Sequence, residues 1–207
     1  MLEQISNAII HLIQTAGYFG VFLVTVSEAA LIPIPSEITL TFSGFLANKG
    51  VFLLPLVILF ATLGEVIGSV VAYYLGVFLE ETLIVNIIKK FGKFLLVTEH
   101  DYYKAKTYFT KYGDRIVFFG RLIPGVRTFI SLPAGILEMK FKKFLLYSFL
   151  GSLVWITLLS SLGFYLGERW KDIDVYFKKF ELGVFVLLIF GILFYINHKL
   201  KIIKFKA

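Results

Sequence analysis

Residues 28–37 read Glu-Ala-Ala-Leu-Ile-Pro-Ile-Pro-Ser-Glu, and residues 119–128 read Phe-Gly-Arg-Leu-Ile-Pro-Gly-Val-Arg-Thr. The shared Leu-Ile-Pro, at 31–33 and 122–124, sets an offset of ninety-one positions. Gly44 matches Gly135 at that offset, and the run Ala72 to Gly76 (Ala-Tyr-Tyr-Leu-Gly) matches Gly163 to Gly167 (Gly-Phe-Tyr-Leu-Gly). Three matches at one spacing identify a diverged internal duplication. Each copy interrupts an apolar stretch with proline and carries charge there: Glu28 and Glu37 in the first, Arg121 and Arg127 in the second. A repeated apolar unit with broken helices and internal charge is the pattern of a membrane transporter.

The rest of the chain agrees with a membrane setting. Of its 207 residues 58% are hydrophobic, and the mean hydropathy is +0.83, well outside the range of soluble domains. The first sixteen residues have neither a basic n-region nor a small-residue cleavage site, so no cleavable signal peptide is expected. With no organellar targeting segment either, the expected location is a bacterial cytoplasmic (inner) membrane, crossed several times. Cysteine is absent, which excludes disulfides and thiolate metal sites. His11, His100 and His198 are scattered outside the apolar spans, so neither a metal centre nor another cofactor is expected.

The reading along the chain is a single all-α membrane domain, 1–207. Residues 1–16 place Ile5, Ile9, Leu12 and Ile13 at helical spacing between polar residues, which predicts an amphipathic helix lying at the interface. Residues 18–47 are apolar but broken by Pro33 and Pro35. Each arm would reach only about 18–22 Å, short of a hydrocarbon core of about 30 Å, so a re-entrant hairpin is expected. Residues 51–79 form a span with a small-residue stripe at Gly64, Gly68, Ala72 and Gly76. That stripe suits close helix packing, internal or between copies; a homo-oligomer stays open.

Residues 80–115 are polar and contain a helix from a capping box at Thr98–Asp101 to about Tyr112. Residues 116–137 are the second interrupted stretch, broken by Pro124 and Pro133; 144–167 is a charge-free span; and 182–197 is an additional C-terminal span.

Lysine and arginine set the topology. If 116–137 re-enters rather than crosses, fourteen basic residues share one side with the C-terminus and five lie on the other. A single crossing leaves little bias. The positive-inside rule favours the hairpin and a cytoplasmic C-terminus. The net charge of +7 is then a topology signal, with anionic headgroups as a further contact, and no nucleic-acid partner is needed. One crossing separates the copies, so the second is upside down. The fold class is therefore an inverted repeat of re-entrant hairpin plus transmembrane helix, with hairpin tips Pro33, Pro35, Pro124, Gly125, Pro133 and Gly135 opposed near the midplane.

Five ionisable residues fall inside apolar sequence: Glu28, Glu37, Glu65, Arg121 and Arg127. Each costs roughly 2.5–3.5 kcal/mol at a helix centre, so they must pair or line a wet cavity. Arg121 and Arg127 flank Pro124 and Gly125, where a bend aims both at one point, and a guanidinium fork suits phosphate oxygens. They are the expected phosphate ligands. Glu28 and Glu37 can pair with them when substrate is absent. Three carboxylates against two guanidiniums leave one carboxylate in excess, so at least one glutamate is expected to bind a proton reversibly, with Glu28 and Glu37 as the proton-coupling candidates. Glu65 reads either as a structural ion-pair partner or as a coupling acid. Arg127, beside Thr128, also reads as a helix-end residue that snorkels. Trp155 and Trp170 read as packing or interface anchors.

The segment from Glu28 through Pro33, Pro35 and Glu37, the Gly64-Glu65 pair leading to Tyr74 and Gly76, and the element Phe119-Gly120-Arg121 to Pro124, Gly125 and Arg127 resemble the DedA family. Pro133-Ala134-Gly135, Met139, Phe144, Gly151 and Trp155 continue the resemblance, over about residues 17–170. In eukaryotes the corresponding domain is the VTT domain of lipid scramblases (SNARE-associated Golgi protein superfamily).

The resemblance implies opposed re-entrant hairpins and transport of undecaprenyl phosphate or a phospholipid, dependent on the proton-motive force. It assigns the essential acids to Glu28 and Glu37 and the essential arginines to Arg121 and Arg127. Many members have aspartate where Glu37 and Glu65 stand, and a different hairpin-tip length.

The expected function is thus a proton-coupled lipid transporter, of flippase or scramblase type, and not an enzyme. The alternative is a proton-coupled small-cation antiporter, against which the two arginines argue. An intramembrane lipid phosphatase would need a positioned nucleophile and a proton carrier, and no histidine lies near either arginine. A membrane scaffold would not need charge at this cost.

Overall fold

The computed structural model describes residues 2–32, 34, 36–79, 85–86, 88–90, 98–171, 183 and 186. Pro33, Pro35 and, apart from 183 and 186, the expected C-terminal span 182–197 lie outside the described residues. Among those described there is no strand; the protein is all-helical. By length and composition three helical stretches can cross a membrane: Asn7–Ala29, Leu54–Phe78 and Phe141–Arg169.

The first of these is not a straight rod. Helix α1, Leu2–Ala29, contains Gly17 at φ 62°, ψ −138°, a conformation that glycine adopts without Cβ strain. A Cβ built on Gly20 would lie 2.6 Å from the Leu12 carbonyl oxygen, although residues eight apart in a straight helix are separated by about 12 Å. The chain therefore turns sharply at Gly17, where the expected interfacial helix and hairpin arm adjoin.

Beyond Ala29 the helix ends at a left-handed Leu31 (φ 74°), and α2, Ser36–Asn48, follows with 13 residues. Helix α3, Leu54–Phe78, opens on a proline in its first turn, where no backbone N–H is needed. The Leu53 N–H donates to the Tyr18 hydroxyl at 2.6 Å, tying its start to α1.

The polar segment differs from expectation. In place of a helix to Tyr112 and a separate arm from 116, residues Glu99–Gly120 form one helix, α4. The Thr98 carbonyl accepts its first bond, from Tyr102 N–H at 3.1 Å. The composition changes near 115 but no proline interrupts the hydrogen-bond ladder, and Gly113 alone costs only about 1 kcal/mol relative to alanine.

The break comes at Arg121–Gly125, with Gly125 at φ 74°, followed by α5, Val126–Phe129, and α6, Ser131–Ile136. Pro133 does not break the chain; it sits in the first turn of α6, a position proline tolerates. Helix α7, Phe141–Leu166, runs into a 3₁₀ turn, Gly167–Lys171.

Helices α3 and α7 are antiparallel. Tyr73, late in α3, stacks on Phe144, early in α7, with centroids 4.5 Å apart. At the opposite end Lys49, just before α3, pairs with Glu168, just after α7, at 2.7 Å. Small residues make the crossings. A Cβ on Gly44 of α2 would overlap the Ser160 carbonyl of α7, and one on Gly163 of α7 would overlap the Thr41 carbonyl of α2. Likewise Gly135 of α6 meets the Tyr73 carbonyl of α3, and Gly76 of α3 meets the Leu132 carbonyl of α6.

The interrupted arms keep the offset of ninety-one (Thr41 and Leu132, Gly44 and Gly135), but the long helices correspond at eighty-seven (Gly76 and Gly163, Tyr73 and Ser160). The sequence match of Gly76 to Gly167 is thus one helical turn away from the packing equivalence. Gly64 and Gly68 face α1, so the glycines of the α3 stripe serve packing within the chain. Of the three apolar clusters among the described residues, two flank the charged residues. One joins Val21, Leu40, Val57, Trp155 and Leu159; the other joins Tyr73, Val117, Ile130, Met139 and Phe144. Helices α3 and α7 pass between them in opposite directions, and the ionisable residues lie on that passage.

Candidate functional site

The chain breaks around 121–125 and before Ser36 position the charged side chains. Arg121 follows the last turn of α4, its N–H still bonded to the Val117 carbonyl at 3.1 Å. Pro124 and the left-handed Gly125 then turn the chain, so that Arg127 enters on α5 from a second direction. Gly151 of α7 makes room: a Cβ there would lie 2.7 Å from the Arg121 Cβ. All five ionisable residues are buried, with exposures of 2% (Glu28), 7% (Glu37), 1% (Glu65), 1% (Arg121) and 2% (Arg127). Arg127 does not snorkel.

Glu65, midway along α3, is the hub. Its Oε1 accepts from Arg121 Nη1 at 3.0 Å and its Oε2 from Arg127 Nη2 at 2.7 Å. Arg127 Nη2 also lies 3.3 Å from Glu28 Oε1, at the end of α1. Arg121 Nη2 donates to Ser131 Oγ on α6 at 2.7 Å and to Ser148 Oγ on α7 at 3.3 Å. The Trp155 ring of α7 faces the Arg127 guanidinium at 5.5 Å, a cation–π contact. The site thus joins α1, α3, α5, α6 and α7 around two guanidiniums.

Glu37 is different. It occupies the first turn of α2, where the helix dipole favours a negative charge, and makes no ion pair with either arginine among the described residues. Thr62 Oγ1, Ser152 Oγ and Arg121 Nε are buried without a hydrogen-bond partner among those residues, leaving polar capacity around the cluster. No group of three His, Cys, Asp or Glu residues there is placed to hold a metal ion.

The structure therefore brings together Glu28, Glu65, Arg121 and Arg127, with Glu37 buried outside their ion pairs. Of the expected hairpin-tip residues, Gly125 makes the bend and Gly135 packs on α3. Sequence reasoning gave Ser131 and Ser148 no role and read Trp155 as a packing or interface anchor, whereas all three meet the guanidiniums. Ser148, Gly151, Ser152 and Trp155 share one face of an otherwise apolar helix, a spacing signal for two of them; Ser131 on α6 had none.

Comparison with known proteins identifies the family. The profile of the VTT domain matches residues 34–165, which contain Glu37, Glu65 and both arginines. An "Alkaline phosphatase-like protein" of Lactococcus lactis subsp. cremoris is 35% identical over 196 residues, 92% of each chain. "Undecaprenyl phosphate transporter A" of Bacillus subtilis is 31% identical over 190 residues, also 92% of each. "Inner membrane protein YqjA" of Escherichia coli is 29% identical over 181 residues, 84% of this chain and 80% of its own. No solved structure matches the chain. With a profile match across most of its length and relatives above 30% identity over nine-tenths of it, the chain belongs to the VTT domain family, the DedA family of membrane proteins.

Proposed function

We propose that the protein moves a phosphate-bearing lipid, undecaprenyl phosphate or a phospholipid, across the bacterial cytoplasmic membrane, with proton binding coupled to the movement. The observation that carries this reading is the convergence of two buried guanidiniums, from either side of one chain break, on a single acidic side chain. A purely cationic substrate would have no use for them, and guanidinium forks suit phosphate oxygens. The transporter name carried by the B. subtilis relative supports the same substrate class. Arg121 and Arg127 hold the phosphate; Glu28 and Glu37 carry the proton, Glu37 with the fewest ties. The lipid tail stays in the bilayer while the headgroup enters the polar passage.

In this reading the arms around 30–35 and 121–125 are re-entrant hairpins entering from opposite faces. The antiparallel α3 and α7 and their reciprocal glycine crossings support the inverted arrangement. The C-terminus lies in the cytoplasm, by the fourteen-to-five basic split.

The test is transport of fluorescent short-chain lipids in liposomes containing the purified protein, with and without a proton gradient. Lipid movement that requires Arg121 and Arg127 and responds to the gradient supports the proposal. Proton flux that follows added sodium or potassium and ignores lipid would favour the cation antiporter.

A further inference from the structure

We propose that Glu65 stands in for the substrate phosphate in the closed site, and that a phosphate anion takes over Arg121 and Arg127 only as Glu65 accepts a proton. This rests on the phosphate-binding reading above and adds the regulation of that site. A carboxylate presents two oxygens on one carbon, spaced much like two oxygens on a phosphorus, and Glu65 uses them as a phosphate would. One oxygen takes Arg121 Nη1 at 3.0 Å and the other takes Arg127 Nη2 at 2.7 Å. Both guanidiniums are buried, so an arriving anion meets this internal one first.

Charge balance supplies the proton. The groups facing Glu65 are Arg121 after α4 and Arg127 on α5, with Glu28 on α1 reached through Arg127 and Glu37 on α2 buried nearby. The facing parts of α6 and α7 contribute Ser131, Ser148 and Trp155, which are uncharged. Along α3 itself the next titratable group is Tyr73, two turns on, whose hydroxyl donates to the Met139 carbonyl at 2.5 Å. Before Glu28 or Glu37 takes up the transported proton, the three glutamates and two arginines, all ionised, sum to −1.

A phosphate carrying one negative charge would take that to −2 in a buried site, which burial strongly opposes. A proton on Glu65 restores −1 and removes the competitor in the same step. One O–H bond forms on Glu65 with a proton drawn from water, and the guanidinium N–H groups pass from carboxylate to phosphate. No bond to phosphorus changes.

Trp155 is the reporter, because its ring lies against Arg127. The chain has two tryptophans, so Trp170→Phe leaves Trp155 alone. Its fluorescence in the full-length protein is titrated with dimethyl phosphate, a diester whose charge does not change near neutrality. The expected affinity rises close to tenfold for each pH unit lowered, the slope for one proton taken up per anion bound. Glu65→Gln should bind at high pH as tightly as its parent does at low pH and lose the slope. A parent affinity that ignores pH overturns the proposal, even if Glu65→Gln fails to fold. Equal slopes in parent and variant leave the phosphate site standing and remove Glu65 from its control. If neither protein binds and Arg121→Ala changes nothing, the phosphate reading itself fails and takes the proposal with it. Dihexanoyl phosphatidylglycerol separates the sources: tighter binding than dimethyl phosphate supports a lipid headgroup, and equal binding points to free phosphate and overturns the lipid assignment.

Discussion

Arg121→Lys is the most informative single change, because the structure divides the work of this side chain between two nitrogens. Nη1 serves Glu65 on α3, while Nη2 serves Ser131 on α6 and Ser148 on α7. A lysine ammonium keeps the charge but is a single point and cannot stand in both places. If it stays with Glu65, the 2.7 Å bond to Ser131 and the weaker 3.3 Å bond to Ser148 are lost. Hydrogen bonds to charged groups contribute about 1.5–3 kcal/mol each, so the loss of two comes to about 3–6 kcal/mol. Unfolding of parent and variant in the same detergent, followed by circular dichroism, measures it. In a double-mutant cycle, Ser131→Ala should be costly in the parent and nearly neutral beside Lys at 121. Lipid transport at matched protein levels should fall as well. A variant as stable as the parent, with Ser131→Ala equally costly in both, would show that Arg121 does not tie these helices together.

Three further outcomes are expected. Gly135→Ala and Gly163→Ala should each destabilise by about 1–3 kcal/mol, because the added Cβ overlaps a backbone carbonyl on the facing helix; detergent melts of the pair check this. Glu37→Gln should fold normally yet flatten the pH dependence of transport in liposomes, since it removes the buried carboxylate that makes no ion pair with either arginine among the described residues. Single cysteines at 106 and 142 should be labelled from one side of the membrane by an impermeant maleimide, and those at 49 and 171 from the other. The Lys106–Glu138 pair at 3.1 Å and the Lys49–Glu168 pair at 2.7 Å mark those two ends.

The parts of the site that the sequence announces are those with a high cost out of place. Glu28, Arg121 and Arg127 stand out because charge in apolar sequence demands a partner. Gly44 and Gly135 stand out because a repeat preserves them. What the sequence withholds depends on which surfaces meet. Glu65 could be assigned no single role, since its hold on both guanidiniums comes from where α3 crosses the second break. Ser131 and Ser148 look like ordinary small polar residues until Arg121 lies between them. The length of α4 is hidden for another reason: a change from polar to apolar side chains is not a backbone signal, and only a proline or a left-handed residue ends the ladder.

The mismatch between the two offsets bears on how this chain tolerates length change. The segment joining arm to long helix is four residues shorter in the second copy, so the difference is close to one whole turn. At about 100° per residue, four residues bring a helix face round to within about 40° of its starting direction. One or two residues would aim the glycines at lipid and set bulky side chains against the opposing carbonyls. Insertions within the first turn of α3 or α7 should therefore be accepted in a periodic way, with three or four residues surviving where one or two do not.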